Sequence, residues 1–142
     1  MCLRRLLRGL LLVLFLLGAL SCGNDKDRKS VYPVRGQVLF QGKPAAGALV
    51  LFHPVNDADS QTERPHGQVD QDGVFVLSTY GARDGAPAGD YVVTIDWRQV
   101  IPGHGQKGPS VLPANYGTPK HSPLRATVKR ESNDLAPFQI AH

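Results

Sequence analysis

The sequence predicts an all-β domain, a single seven-stranded antiparallel β-sandwich, and three observations support this prediction. Short segments of alternating apolar and polar residues recur along the chain, as expected of half-buried strands. Turn-forming Gly, Pro and Asp residues stand between these segments. Outside an N-terminal apolar run, no segment has the period of an amphipathic helix. Recurring short strands separated by turns are typical of two packed sheets.

The stretch 34–54 contributes the first strand pair, which is joined by a turn at Gly42 and Pro44. Asp72-Gly73, with apolar residues on both sides, predicts a hairpin turn. Pro137 restricts the last strand to an edge or a bulge. The predicted strands are 34–41, 49–53, 67–69, 74–78, 91–97, 124–129 and 135–140. The residues predicted to face inward are Val38, Phe40, Val50, Phe52, Val69, Phe75, Leu77, Tyr91, Val93, Ile95 and Val128.

The first 21 residues have the pattern of an export signal. Three Arg residues precede the apolar run 10–20, which is shorter than the roughly 20 residues that a membrane-spanning helix needs. The run 17–23 resembles a bacterial lipobox in which Ala19 and Leu20 stand in swapped order. This resemblance implies that Cys22 becomes the N-terminus and is diacylated on sulfur, with ordinary secretion as the alternative. Residues 22–30 would then be a charged, flexible tether, and 31–142 the folded domain.

Removal of the leader changes the charge and the cysteine count. It takes away three Arg and no acid, so the formal net charge falls from +4 to +1. The basic character therefore belongs mostly to the leader, and we expect no nucleic-acid partner. Cys2 leaves with the leader, so no internal disulfide is predicted and the core must stabilise the domain. The expected location is outside the cytosol, on a membrane that faces the periplasm or the exterior.

A series of turn and strand motifs carries a family resemblance. The motifs are Gly36-x-Val38, Gly42-Lys43-Pro44, Gly47-Ala48-x-Val50-x-Phe52-x-Pro54, Asp72-Gly73-x-Phe75 and Pro87-x-Gly89-x-Tyr91. In this order and spacing they resemble the carboxypeptidase regulatory-like, transthyretin-like β-sandwich. The run 112–117, followed by 122–124, resembles the C-terminal part of small secreted bacterial lipoproteins that carry this domain. The resemblance covers about 34–140 and implies an accessory, non-catalytic module without a cofactor.

The segment 97–123 contains the predicted ligand site. Between 99 and 123 it has five Pro and four Gly, and so long an irregular loop tends to be functional or disordered. Exposed aromatic rings at its two ends would stack on a sugar or a peptide, although a single Trp in a small β domain is more often partly core. The candidate ligand-binding residues are Trp97, Arg98, His104, Tyr116 and His121.

No metal site and no catalytic set is predicted. The five histidines lack metal-ligand spacing. Asp70-x-Asp72-Gly73 fits a hairpin turn better than a calcium loop, because the further oxygen ligands and the distant Glu of such a loop are missing. Asp57 and Asp59 keep a loop-borne calcium site as a remote alternative.

Charge is unevenly distributed along the chain. Residues 56–96 hold eight acids and two bases, whereas 97–130 hold six bases and no acid. The two stretches either lie side by side and neutralise each other, or leave a basic surface for anionic lipid or polysaccharide.

The sequence thus predicts a non-catalytic, lipid-anchored module with a binding or structural role in the cell envelope. Its expected partners are the membrane, through the anchor, and an envelope protein or polysaccharide. One alternative is a carbohydrate or small-ligand binder that uses 97–123. The other is a hydrolase related to transthyretin, such as hydroxyisourate hydrolase, which would need clustered His and Arg. The C-terminal Tyr-Arg-Gly-Ser of that enzyme has no counterpart in 138–142.

Overall fold

The computed structural model describes residues 28–56 and 63–141, and it is all-β as predicted. The one helical element in these ranges is a 3-10 turn at Ala114–Gly117. The strands are β1 Val31–Tyr32, β2 Val34–Phe40, β3 Lys43–Pro44, β4 Leu49–Pro54, β5 His66–Gln68, β6 Val74–Val76, β7 Ala86–Pro87, β8 Gly89–Asp96, β9 Arg98–Val100, β10 Lys107–Ser110, β11 Arg125–Val128, β12 Asn133–Asp134 and β13 Phe138–Ile140.

A four-stranded antiparallel sheet has the order β11-β8-β4-β5. Its longest ladder pairs β4 with β8, from Leu49 opposite Asp96 to Pro54 opposite Tyr91. Successive side chains of a strand point to opposite faces, so Val50 and Phe52 are buried while their neighbours are not. The apolar alternation in the sequence therefore sets which face of this sheet meets the core.

A second sheet is built around β2. Strands β3 and β6 pair antiparallel with β2, whereas β12 and β13 pair parallel with it. The prediction of a wholly antiparallel fold is therefore wrong at β12 and β13. The chain reverses direction at 129–132, between β11 and β12, so β12 and β13 run parallel to β2. The last predicted strand begins only at Phe138, after Pro137, because proline cannot donate to a ladder.

The two larger sheets meet along β5 and the end of β6, and they share one core. His66 and Ser78 exchange two backbone hydrogen bonds, at 2.9 and 2.8 Å. The rings of Phe52 and Phe75, from different sheets, lie 6.3 Å apart between centroids. All the residues predicted to face inward are buried except Phe40. Phe40 is half-buried because it lies near the end of β2, where its ring meets Trp97 edge-on at 5.9 Å.

The predicted count of seven strands is not confirmed. Each predicted strand overlaps a strand of the structure, but the described residues also contain β1, β3, β7, β9, β10 and β12. Strands β9 and β10 form a hairpin within the segment predicted to be irregular, and Ile101 N–H closes it on Gln106 O at 2.9 Å. Gly103 and Gly105 allow this turn because both adopt positive φ.

Several predictions fall on residues outside the described ranges. These are the leader, the lipidation at Cys22, the tether up to residue 27, and any role of Asp57, Asp59 or His142. Within 28–56 and 63–141, no helix has the length and apolar character needed to cross a bilayer.

Candidate functional site

A cleft of about 1080 Å³ lies on the outer surface where the two larger sheets meet. The β9–β10 hairpin forms one wall, and the outward faces of β4, β5 and β6 form the floor. We call this the basic cleft. Its lining residues are Arg35, Gly47, Leu49, His66, Gly67, Gln68, Asp70, Val74, Val76, Ser78, Arg83, Asp96, Arg98, Val100 and Lys107.

Apolar side chains form part of the cleft surface. Phe75 points into the core, so the alternation of β6 places Val74 and Val76 outward, where both are half-buried. The outer face of this strand lines the cleft. Leu49 is 39% exposed and Val100 is 62% exposed, and both line the cleft. The cleft therefore offers apolar contact area to a ligand.

Both acids that line the cleft are already bonded within the protein. Asp96 accepts bonds on its two oxygens from the Arg98 Nε–H, at 3.0 and 2.9 Å. Asp70 Oδ1 accepts the backbone N–H groups of Asp72 and Val74, each at 2.9 Å. The Asp70 contacts also confirm the predicted turn, in which Gly73 has a φ of 81°. Neither carboxylate forms an ion pair with Arg35, Arg83 or Lys107 among the described residues.

Three of those cations have no side-chain partner among the described residues: Arg35 on β2, Arg83 in a loop and Lys107 on β10. With Arg98, the cleft has four bases against two acids. Arg35 and Lys107 line the cleft from strands of different sheets. Positive charge that is unmatched within the protein attracts an anionic ligand.

A carboxylate fixes the loop that carries Arg83. Asp84 accepts the N–H groups of Thr79, Tyr80 and Gly81 at 2.7, 3.0 and 2.8 Å. Burial alone would raise the pKa of Asp84, but these hydrogen bonds to the ionised form outweigh it and lower the pKa. Arg83 itself has a φ of 58°, which is uncommon for a residue other than Gly. The loop therefore holds Arg83 in a strained conformation at the cleft.

Of the five predicted ligand residues, only Arg98 lines the basic cleft. Trp97 is half-buried, and its Nε1–H donates to Ala46 O at 2.9 Å. Tyr116, in the 3-10 turn, is also half-buried against the core. His104 is exposed at the tip of the β9–β10 hairpin, and His121 contacts the Thr118 hydroxyl at 3.1 Å. The two aromatic rings thus follow the partly-core alternative, and the other three residues are exposed.

The sequence did not point to Arg35 or Arg83 as site residues, and it placed Lys107 only in the basic stretch 97–130, whose alternative role is to meet anionic lipid or polysaccharide. Arg35 occupies an outward position of a predicted strand, which is the ordinary place for a charge. Lys107 was recognised only as one of several bases in a basic segment. Alternation identifies the outward face of each strand, but it does not show which outward faces become neighbours. No sequence signal therefore separated these three cations from the other surface charges.

The described histidines lie in separate surroundings. His53 Nε2 lies 2.8 Å from Thr94 Oγ1, and Arg64 Nη1 lies 3.3 Å from His53 Nδ1. Burial, and then the Arg64 charge, lower the pKa of His53, so the neutral ring is favoured. His66 Nδ1 lies 3.1 Å from a backbone carbonyl, that of Arg64. Across residues 28–56 and 63–141, no three potential metal ligands come together.

The acidic and basic stretches of the sequence do lie side by side. Strand β11 from the basic stretch pairs antiparallel with β8 from the acidic one. Thr127 Oγ1 donates to Asp90 Oδ1 at 2.6 Å, and Arg98 pairs with Asp96. The Arg98–Asp96 pair neutralises one charge of each stretch, and Lys107 is the base of 97–130 that lines the cleft without an ion pair to another described residue.

Comparison with known proteins adds little to this description. No protein-family model and no curated protein matches the chain. A solved DUF3823 family protein from Parabacteroides merdae is 17% identical with a TM-score of 0.42; the match covers 80% of this chain and 47% of that one. A solved 9R-lipoxygenase from Cyanothece is 15% identical with a TM-score of 0.39, over 78% of this chain and 16% of the enzyme. The chain therefore spans about half of the first protein and a small part of the second, and likeness at this level supports no conclusion about function.

Proposed function

We propose that this protein is a lipid-anchored β-sandwich outside the cytosol, with a non-catalytic binding or structural role in the cell envelope. The lipobox-like run that ends at Cys22 motivates the anchor. The shared core of the two larger sheets motivates the sandwich, because Phe52 and Phe75 meet across it. The turn motifs motivate the transthyretin-like kind of sandwich.

One observation about the described chain carries the proposal: the chain enters at one end of the four-stranded sheet, and the β9–β10 hairpin projects from the other. Lys29 lies in a small pocket beside Pro54 and Tyr91, at one end of the β4–β8 ladder. The hairpin follows Asp96, which pairs with Leu49 at the opposite end. At roughly 3.4 Å per residue, the ladder separates the two ends by about 17 Å. A module tethered near Lys29 would therefore present the hairpin away from the membrane.

The anchor is tested by expressing the full chain in a bacterium and measuring the intact mass of the protein in the membrane fraction. We expect an N-terminus at Cys22 that carries a diacylglyceryl group. Cys22→Ser should abolish the lipid and the membrane association, whereas Cys2→Ser, within the leader, should leave both unchanged. A mature protein with a free, unacylated N-terminus at any other residue would rule out the anchor.

The carbohydrate or small-ligand alternative, which uses 97–123, receives less support from the geometry. Trp97 and Tyr116 are both half-buried, and the indole N–H is occupied by Ala46 O. Stacking on a sugar needs an accessible ring face. The hydrolase alternative would need His and Arg converging at a cavity. His66 shares the basic cleft with Arg35, Arg83 and Arg98, whereas His53 and Arg64 line none of the described pockets together.

A further inference from the structure

We propose that the basic cleft binds an extended, acidic segment of a partner protein, in which acidic and apolar residues alternate. This inference deepens the proposed binding role and rests on that role, although it does not depend on the anchor. It assigns the site to the surface where the two larger sheets meet, rather than to 97–123 as a whole.

The charge of the cleft selects an anion. Arg35, Arg83 and Lys107 have no side-chain partner among the described residues, and both lining acids are occupied. A guanidinium group presents a planar fork of donors that matches a carboxylate. Arg35 and Lys107 line the cleft from strands of different sheets. Several carboxylates along one chain would engage both.

The floor of the cleft selects a ligand that also carries apolar groups. Leu49, Val74, Val76 and Val100 all line it, and none of them is fully buried. No Phe, Tyr or Trp is among the described residues that line the cleft. Sugar rings are usually recognised by stacking on the faces of Phe, Tyr or Trp rings, and this cleft offers a polysaccharide no such ring. An extended peptide places alternate side chains on opposite faces, and its apolar face suits this floor.

The size of the cleft favours a segment over a small molecule. Its volume of about 1080 Å³ is just above the range of roughly 300–1,000 Å³ that small-ligand pockets span. It lies open on the surface, between a sheet face and a hairpin, as a groove that receives a strand does. Asp84 contributes by holding the Arg83 loop in place, so it is a positioning residue.

The test uses the full chain, purified in neutral detergent, and a fluorescein-labelled octapeptide of alternating Glu and Val. Fluorescence anisotropy should show binding that weakens as salt rises from about 0.05 to about 0.5 M, because salt screens exposed charges. The matching Gln-Val octapeptide should bind at least about tenfold more weakly. Polygalacturonate, an acidic polysaccharide, should not compete at equal charge.

Charge reversal locates the site. Arg35→Glu with Lys107→Glu turns a cleft of four bases and two acids into one of two bases and four acids, and should weaken binding at least about tenfold. The control, Lys43→Glu with Lys120→Glu, makes the same net change at exposed lysines outside the cleft and should stay within about twofold. If the Glu pair does not fold, Arg35→Gln with Lys107→Gln replaces it.

Three results would overturn the proposal. They are equal weakening in both charge-reversal pairs, binding of polygalacturonate in preference to the peptide, and no peptide binding at about 1 mM. None of these concerns the mass of the mature protein. A lipidated Cys22 together with a failed peptide titration would therefore refute the cleft alone. An unlipidated protein that binds the peptide would refute the anchor alone.

Discussion

The contact between Gly36 and Phe75 gives a sharp test of how the core is packed. Gly36 on β2 lies directly opposite Phe75 on β6, and the aromatic ring covers the glycine backbone. A Cβ atom at position 36 would lie 2.5 Å from Phe75 Cζ and 2.8 Å from Cε1. Gly36 does not have a positive φ, so Gly36→Ala changes packing without backbone strain.

The Phe75 ring has little room to retreat. It stacks on Phe138 with centroids 6.1 Å apart and an interplanar angle of 5°, and the centroid of the Phe52 ring lies 6.3 Å from its own. Overpacking of this kind costs about 1–3 kcal/mol, which we expect for Gly36→Ala. Phe75→Leu should cost about 1–2 kcal/mol because it removes ring volume. The double variant should lose about 1 kcal/mol less than the two single losses together, since the smaller side chain makes room for the methyl group.

Urea unfolding, followed by the fluorescence of the single Trp97, gives these free energies. Gly117→Ala is the control, because nothing lies within 4 Å of a Cβ built at that position, and it should change stability by less than about 0.5 kcal/mol. The packing argument fails if Gly36→Ala is as stable as the wild type. It also fails if the double variant loses the full total of the two single changes.

Three further substitutions test local interactions by urea unfolding. Asp84→Asn should lower the free energy of unfolding at neutral pH by about 1–2 kcal/mol. The pKa of Asp84 is lowered in the folded protein, so its contribution to the free energy of unfolding is present above about pH 4 and is lost on further acidification. A stability difference between the wild type and Asp84→Asn that stays unchanged in acid would contradict this. The pKa of His53 is also lowered in the folded protein, so the stability of the wild type should fall as the pH drops below about 6.5. His53→Gln should lack this loss. Parallel curves of unfolding free energy against pH for the two proteins would refute the prediction. Gly85→Ala should lower the free energy of unfolding by more than about 2 kcal/mol, because Gly85 has a φ of 101° and a Cβ there would collide with the Tyr32 carbonyl. An unchanged urea midpoint in this variant would contradict the predicted collision.

Much of the fold could be predicted because period-two alternation directly reports a half-buried strand. Val50, Phe52, Val93 and Ile95 alternate with less buried neighbours, and the structure buries all four. Alternation reports neither the neighbour of a strand nor its direction. The parallel pairing of β12 and β13 with β2 therefore had no sequence signal, because it depends on the reversal at 129–132.

The candidate site was less accessible to sequence reasoning for the same reason. The basic cleft combines outward positions of β2, β4, β5, β6, β9 and β10, which are adjacent only after the sheets form. Arg98 was predicted as a ligand residue and lines the cleft, whereas Trp97 was considered for its ring and lies largely against Phe40. Arg83 adopts a left-handed backbone in a loop where its N–H donates to Ser78 Oγ and Asp84 accepts the N–H of Thr79, and no residue pattern announced this conformation.

Hydrogen exchange measured by mass spectrometry, with and without the Glu-Val octapeptide, tests most directly where the partner binds. The account predicts slower exchange in the peptic fragments that contain β5, β6 and the β9–β10 hairpin, with no change in 113–123. Protection confined to 113–123, or spread evenly over the domain, would contradict a site at the basic cleft.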